Sequence, residues 1–221
     1  VTRLLDALEL ETGAHPGASI VWLHGLGADG GDFVPVADEL DLGGLAVRFV
    51  FPHAPQQPVT INGAMVMRAW YDIVSADLER RADERGVRAS QRLVEALLDR
   101  ERARGIAPNR LVLAGFSQGG AIALETGLRY PERLAGVIAL SCYLPLAASL
   151  EAERSGANAG LPVFLAHGRH DEIVPVAAGR RSRDLLAALG YAVEWHEYPM
   201  PHSVCGDEIE AIGAWLRRVL G

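Results

Sequence analysis

A chain of 221 residues with 49% hydrophobic and 22% charged side chains is long enough to bury one substantial core and short for two ordinary domains. Its formal charge of -7, from 21 basic and 28 acidic residues, argues against nucleic acid or an anionic membrane surface as a partner of the whole molecule. All 21 basic residues are Arg, so this chain cannot use a lysine Schiff base, a Ser-Lys dyad or a P-loop lysine.

The opening TRLLDALEL is interrupted by Asp6 and Glu9 and has no long apolar h-region. No later apolar run reaches the roughly 18 residues of a membrane span. A soluble, cytoplasmic protein without integral membrane association is expected. ASIVWLHG at 18–25 and LAVRFVFPHAP at 45–55 read as strands, closed by glycine and by prolines. Between them FVPVADEL allows a helical turn or two before Gly43 and Gly44. Residues 55–75, with Pro55, Pro58, Asn62 and Gly63 ahead of AMVMRAWYDI, follow neither the strand nor the helix period. A connection of that length is a candidate wall or lid of a site.

From Val87 to Arg104 the apolar residues Ala89, Leu93, Val94, Leu97 and Leu98 recur three and four apart among charges, as a half-buried helix requires. RLVLAGF at 110–116 reads as a buried strand and QGGAIALETGLRY at 118–130 as the helix after it. GVIALS at 136–141 and LPVFLAHG at 161–168 are two further buried strands, separated by the polar, turn-prone ASLEAERSGANAG, read as a loop. Leu185, Leu186, Ala188 and Leu189 mark a helix, VEWHEY a strand, and Ile209, Ile212, Trp215, Leu216 and Val219 a final amphipathic helix. Strands apolar on both faces, alternating with helices, predict an α/β class: a mostly parallel sheet between helical layers, in one domain over 1–221.

The sharpest motif is GFSQG at 115–119, a GxSxG set between a predicted strand and a predicted helix. A nucleophile elbow needs a strained serine on a tight strand-to-helix turn, with glycines two residues either side where neighbouring backbone approaches. The Gln118 N–H beside Ser117 would stabilise a tetrahedral oxyanion, such a donor being worth on the order of 3 kcal/mol. A second donor is expected after an early strand, where His24-Gly25-Leu26-Gly27 lies, and Leu26 N–H is the candidate. His24 reads as a structural imidazole. The same glycine-rich turn lacks both a Walker lysine and a GxGxxG match.

Acid and base should follow the serine in the order Asp or Glu, then His. Asp171, in HGRHDEIVP after a strand, fits the first, with Glu172 as its neighbouring rival. His202, in YPMPHSV before the last helix, fits the second, since His196 falls inside a strand. In these roles His202 accepts the Ser117 proton while Asp171 fixes its tautomer. The remaining histidines show no H-E-x-x-H or other tight ligand spacing, so neither metal nor cofactor is expected. Cys142 and Cys205 read as small buried hydrophobes. Met65, Met67, Trp70 and Tyr71 are divided between core and the wall of an acyl groove.

Taken together, HGLGADG at 24–30, FPHAP at 51–55, RAWYDI at 68–73, GFSQGG at 115–120, HGRHDEIVP and YPMPHSV resemble the carboxylesterase and acyl-protein thioesterase-like branch of the α/β-hydrolases, the phospholipase/carboxylesterase family, over nearly the whole chain. The resemblance implies an α/β-hydrolase without a large cap domain, a triad of Ser117, Asp171 and His202, and oxyanion donors at Leu26 and Gln118. It also places Trp70 in a loop flanking an apolar channel, and allows a monomer or a homodimer. Two departures stand out. Pro201 replaces the glycine common before the histidine, and Arg68 stands where a small residue or proline is frequent, putting a guanidinium near the entrance beside Met65. The expected reaction is hydrolysis of small to medium acyl carboxylic esters through an acyl-enzyme, with acyl-protein thioesterase or lysophospholipase as the alternative. A noncatalytic binding protein of the same fold would need the three side chains apart in space.

Overall fold

The computed structural model describes residues 4–75 and 83–221; Thr2 and Arg3 of the opening segment lie outside them. Nine strands and six α-helices are found among the described residues: β1 (Ala7–Glu11), β2 (Ala18–Leu23), α1 (Val34–Glu39), β3 (Val47–Pro52), β4 (Gln56–Val59), β5 (Met65–Arg68), α2 (Glu84–Ala103), β6 (Leu111–Phe116), α3 (Gln118–Arg129), β7 (Gly136–Leu140), α4 (Ala147–Glu153), β8 (Pro162–Gly168), α5 (Val176–Ala188), β9 (Ala192–Tyr198) and α6 (Gly206–Leu220). Seven strands form one sheet in the order β1-β3-β2-β6-β7-β8-β9. Only β1 runs antiparallel to its neighbour.

β2 and β7 are buried at every residue because both faces of the sheet are covered. On one face Val21, Leu113, Val137 and Leu165 meet Val94, Leu97 and Leu98 of α2, Leu124 and Leu128 of α3 and Leu186 of α5. On the other, Ile20, Phe49, Ile138 and Phe164 meet Ala37 of α1 and Ile212, Trp215, Leu216 and Leu220 of α6. Adjacent residues such as Ile20 and Val21 therefore serve opposite cores, as the period of two dictates. The architecture is an α/β-hydrolase fold without a large cap insertion among the described residues.

Three segments differ from the sequence reading. The opening ALELE is an antiparallel edge strand, in register with β3 from Ala7 opposite Pro52 to Glu11 opposite Arg48. The connection at 55–75 contains an antiparallel ribbon, β4 paired with β5. The stretch read as a loop at 148–160 holds most of α4, anchored by the buried Leu150.

The order of strands positions the site. From β2 the chain crosses to β3 on one side and then returns to β6 on the other, so the carboxyl ends of β2 and β6 flank the crevice where open α/β sheets receive ligands. Leu23 and Gly115 are parallel partners there, and the next residues out are His24-Gly25-Leu26 and Phe116-Ser117.

Candidate active site

Ser117 is the single residue between β6 and α3, with φ 54° and ψ -120°. A non-glycine residue in that region costs of order 1–3 kcal/mol and persists only where its surroundings impose it. Here Ser117 N donates to Leu140 O at 2.8 Å and Ala121 N donates to Ser117 O at 3.0 Å. A Cβ on Gly115 would stand 2.4 Å from the Gly119 carbonyl carbon, and one on Gly119 would stand 2.3 Å from Leu23 O. Both glycines are required because backbone occupies the space a side chain would fill.

The loop after β2 is held by His24, which is 1% exposed. Its Nδ1 lies 2.7 Å from Gly25 O and its Nε2 3.0 Å from Ala54 N. A carbonyl only accepts and an amide only donates, so the ring is the neutral Nδ1–H tautomer. Burial is the main force holding its pKa below the ordinary histidine value. Trp70 Nε1 donates to His24 O at 2.9 Å, and Gly27 N donates to Arg68 O at 2.9 Å. No hydrogen bond among the described residues uses the N–H of Leu26 or of Gln118.

Asp171 follows β8 and is buried, whereas its neighbour Glu172 is exposed. Its Oδ1 accepts from Ile173 N at 2.9 Å and Val174 N at 2.8 Å. Its Oδ2 lies 2.6 Å from His202 Nδ1 and 3.4 Å from His167 Nε2. Burial would push the carboxyl upward, yet the hydrogen bonds from His167, His202 and the Val174 amide outweigh it and hold the pKa well below the usual carboxylate range. The His202 ring packs on Phe116, the residue before Ser117, with centroids 4.7 Å apart. Its loop is clamped to the Asp171 loop by His170 N donating to Met200 O at 3.1 Å. Pro201 fits this clamp through its carbonyl, which accepts from Ser203 N at 2.9 Å. A noncatalytic protein of this fold would need all three side chains apart; Asp171 and His202 are in hydrogen-bond contact.

Among the residues expected to line a pocket, Met65 is 63% exposed on the ribbon. Met67, next but one along β5, places its Sδ 3.7 Å from where a Gly27 Cβ would be, so the ribbon leans over the His24–Gly27 loop. Arg68 directs Nη1 to Ala54 O at 2.9 Å and lines a cleft of about 370 Å³ with Asp6, His53 and Leu93. Trp70 is 1% exposed and belongs to the core. A second cleft, of about 480 Å³, lies between Leu144, Pro145 and Leu146 and the α5 residues Ser182 and Leu185. Cys142 is buried, which pushes its thiol pKa up, and Cys205 is half-buried. No group of three His, Cys, Asp or Glu among the described residues is placed to hold a metal ion, and no helix among them is long and apolar enough to cross a membrane.

Sequence reasoning assigned Gln118 only its backbone amide. In the structure its side chain is also committed: Oε1 accepts from Trp70 N and Nε2 donates to Tyr71 O, both at 2.7 Å. Nothing local signals this, because the partners lie 47 and 48 residues away.

Comparison with known proteins agrees with this architecture. The family model described as Phospholipase/Carboxylesterase matches residues 9–220. Acyl-protein thioesterase 1 of Mycosarcoma maydis is 40% identical over 225 residues, covering 95% of this chain and 94% of its own. The crystal structure of Zea mays acyl-protein thioesterase 2 superposes with a TM-score of 0.86 at 31% identity, over 98% of this chain and 99% of that one. Esterase PE8 does so with a TM-score of 0.85 at 31% identity, over 99% and 100%.

Proposed function

Since the chain belongs to the phospholipase/carboxylesterase family of serine-type ester hydrolases, we propose that it is an acyl-protein thioesterase whose nucleophile, acid and base are Ser117, Asp171 and His202. The residues themselves do not choose between ester and thioester, and carboxylic esters of small to medium acyl groups are the first expectation from the sequence. The names of relatives such as the Mycosarcoma maydis protein favour the thioesterase alternative. The exposed apolar side chains Met65, Val66 and Ile173 support it, since Ile173 is two residues past Asp171 and the ribbon leans over the Leu26 loop.

The observation that carries the mechanism is the 2.6 Å contact between His202 Nδ1 and Asp171 Oδ2. It assigns Nδ1–H to the carboxylate and leaves Nε2 as the base. Ser117 Oγ attacks the acyl carbonyl carbon as Nε2 takes the hydroxyl proton, and Asp171 stabilises the imidazolium. The oxyanion accepts from the uncommitted amides of Leu26 and Gln118. Collapse breaks the C–S bond and the thiolate leaves with the proton from His202; water, deprotonated by Nε2, then attacks the acyl carbon, the bond to Ser117 Oγ breaks, the carboxylic acid is released and Nε2 returns its proton to Oγ. A thiolate is a better leaving group than an alkoxide, its acid having a pKa of about 8.5, so this step makes little demand on His202.

The test is a kinetic panel from acetyl to palmitoyl in matched oxygen and sulfur esters, run on the wild type and on Ser117→Ala. The wild type should favour long-chain thioesters, and Ser117→Ala should stay folded with turnover reduced by about 10⁴-fold or more. Turnover confined to short and medium oxygen esters would return the chain to the carboxylesterase reading. Retained turnover in folded Ser117→Ala would remove the triad.

A further inference from the structure

Residues 69–72 form no regular element after β5 ends at Arg68, yet most polar backbone atoms from Arg68 O to Asp72 N are paired. Arg68 O accepts from Gly27 N, and Ala69 N donates to Pro55 O. Ala69 O accepts from Gln57 Nε2 at 2.6 Å. Trp70 N donates to Gln118 Oε1, Trp70 O accepts from Ser90 Oγ of α2, and Tyr71 O accepts from Gln118 Nε2. Asp72 N donates to Asp83 Oδ2 at 3.1 Å. Three of these bonds come from the side chains of Gln118 and Ser90, which are 3% and 2% exposed, so water does not compete for them.

This strap is bonded to residues on either side of Leu26 and to the side chain of Gln118, the two residues whose amides are proposed to hold the oxyanion. On one side it grips the His24–Gly27 loop twice, through Trp70 Nε1 to His24 O and through Gly27 N to Arg68 O. On the other it is gripped by the side chain of Gln118, whose own N–H is the second donor. The demand on residue 118 is specific: an acceptor for the Trp70 amide and a donor for the Tyr71 carbonyl, in one planar group. A primary amide offers both, a carboxylate offers no donor, and a thioether offers no donor and only a weak acceptor.

We propose that the Gln118 side chain is a positioning residue that holds the two oxyanion amides in register, by fixing the 68–72 strap that in turn fixes the Leu26 loop. This rests on the reading of Ser117 as the nucleophile. It adds that the spacing of the two donors is set by a side chain outside the triad. Displacing one donor by a fraction of an ångström weakens binding of the transition state while leaving the ground state nearly untouched.

The test compares Gln118→Met, of similar volume, with the wild type on one long-chain thioester. It adds two inhibitors: a trifluoromethyl ketone, which forms a tetrahedral adduct bearing an oxyanion, and the matching thioether, which cannot. In Gln118→Met, kcat should fall roughly 30-fold and affinity for the ketone should fall with it, while KM and thioether affinity stay within about twofold. The midpoint of the pH–rate profile should not move. Ser90→Ala, which frees Trp70 O without touching residue 118, should give the same split at smaller amplitude, and it carries the test if Gln118→Met does not fold. Unchanged kcat and ketone affinity in a folded variant would overturn the proposal, as would a parallel loss of ketone and thioether affinity. Failure of wild-type Ser117 to react with a fluorophosphonate would instead overturn the reading beneath it.

Discussion

The tightest constraint around Ser117 is set by what cannot be there. At Gly119 a Cβ would lie 2.3 Å from Leu23 O and 2.5 Å from His24 O, and both obstacles are backbone at the end of a central strand. Gly119→Ala therefore has to push the first turn of α3 away from β2, which moves the Gln118 amide relative to the Leu26 loop. We expect a stability loss of about 2–3 kcal/mol in urea unfolding. Turnover of the remaining folded protein should fall on the order of 100-fold. Wild-type turnover in this variant would show that the approach of α3 to β2 does not set the geometry of the site.

At the scale of elements, α2, α3 and α4 are joined by an ion cluster rather than by apolar contacts alone. Glu125 of α3 is fully buried and meets Arg88 of α2 at 3.0 Å and Arg129 at 2.9 Å. Both arginines also reach Glu153 of α4, at 2.6 and 2.8 Å. Burial raises the Glu125 pKa to about 7, against the pull of Arg129 and Arg88. Arg88→Met would leave Glu125 with Arg129 as its one cationic partner among the described residues, and removing one partner of a buried pair costs more than the pair is worth. The expected loss is about 2 kcal/mol by urea unfolding at pH 8, shrinking at pH 5 where Glu125 is protonated in either protein. The same cluster explains why α4 is invisible in the sequence. Its one buried residue, Leu150, sets no period, and its charges bind partners distant along the chain. β1 was missed for a related reason: as an edge strand with a burial pattern of partly and fully exposed residues, it lacks the alternation of a half-buried strand. The ribbon β4–β5 is obscured by Pro58, which an edge position tolerates. By contrast β2, β6, β7 and β8 are buried nearly throughout and read directly. The positions of Ser117, Asp171 and His202 just beyond strands were legible because the hydrophobic pattern marks those strands, whereas the side-chain hydrogen bonds of Gln118 and Ser90 depend on folding alone.

At the scale of the whole molecule, two populations of carboxyls pull stability in opposite directions with pH. Glu153 and Glu197 are held near about 2 by the arginines they bond, and Asp171 is held low despite the upward push of its burial. The unfolded chain protonates these groups near pH 4, so their contribution is complete above that value and is lost as pH falls toward 2. Glu208 and Glu125 behave in reverse. Glu208 sits in the first turn of α6, fully buried, with neither carboxyl oxygen hydrogen-bonded among the described residues. Burial raises its pKa to about 8, with the Cys205 amide pulling the other way, and the charge of Glu208 helps to push the Tyr198 hydroxyl of β9 upward. Above roughly pH 4.5 the unfolded chain releases these protons while the fold retains them, so stability declines with pH until the folded values are passed. The urea midpoint should therefore peak near pH 5 and fall on both sides. Glu208→Gln keeps the shape and removes the ionisation. It should leave stability at pH 5 nearly unchanged and raise it at pH 8 by on the order of 3 kcal/mol, flattening the alkaline arm. An equal effect at both pH values would mean that the Glu208 proton is not retained by the fold, and the alkaline decline would then have to come from Glu125 and its two arginines.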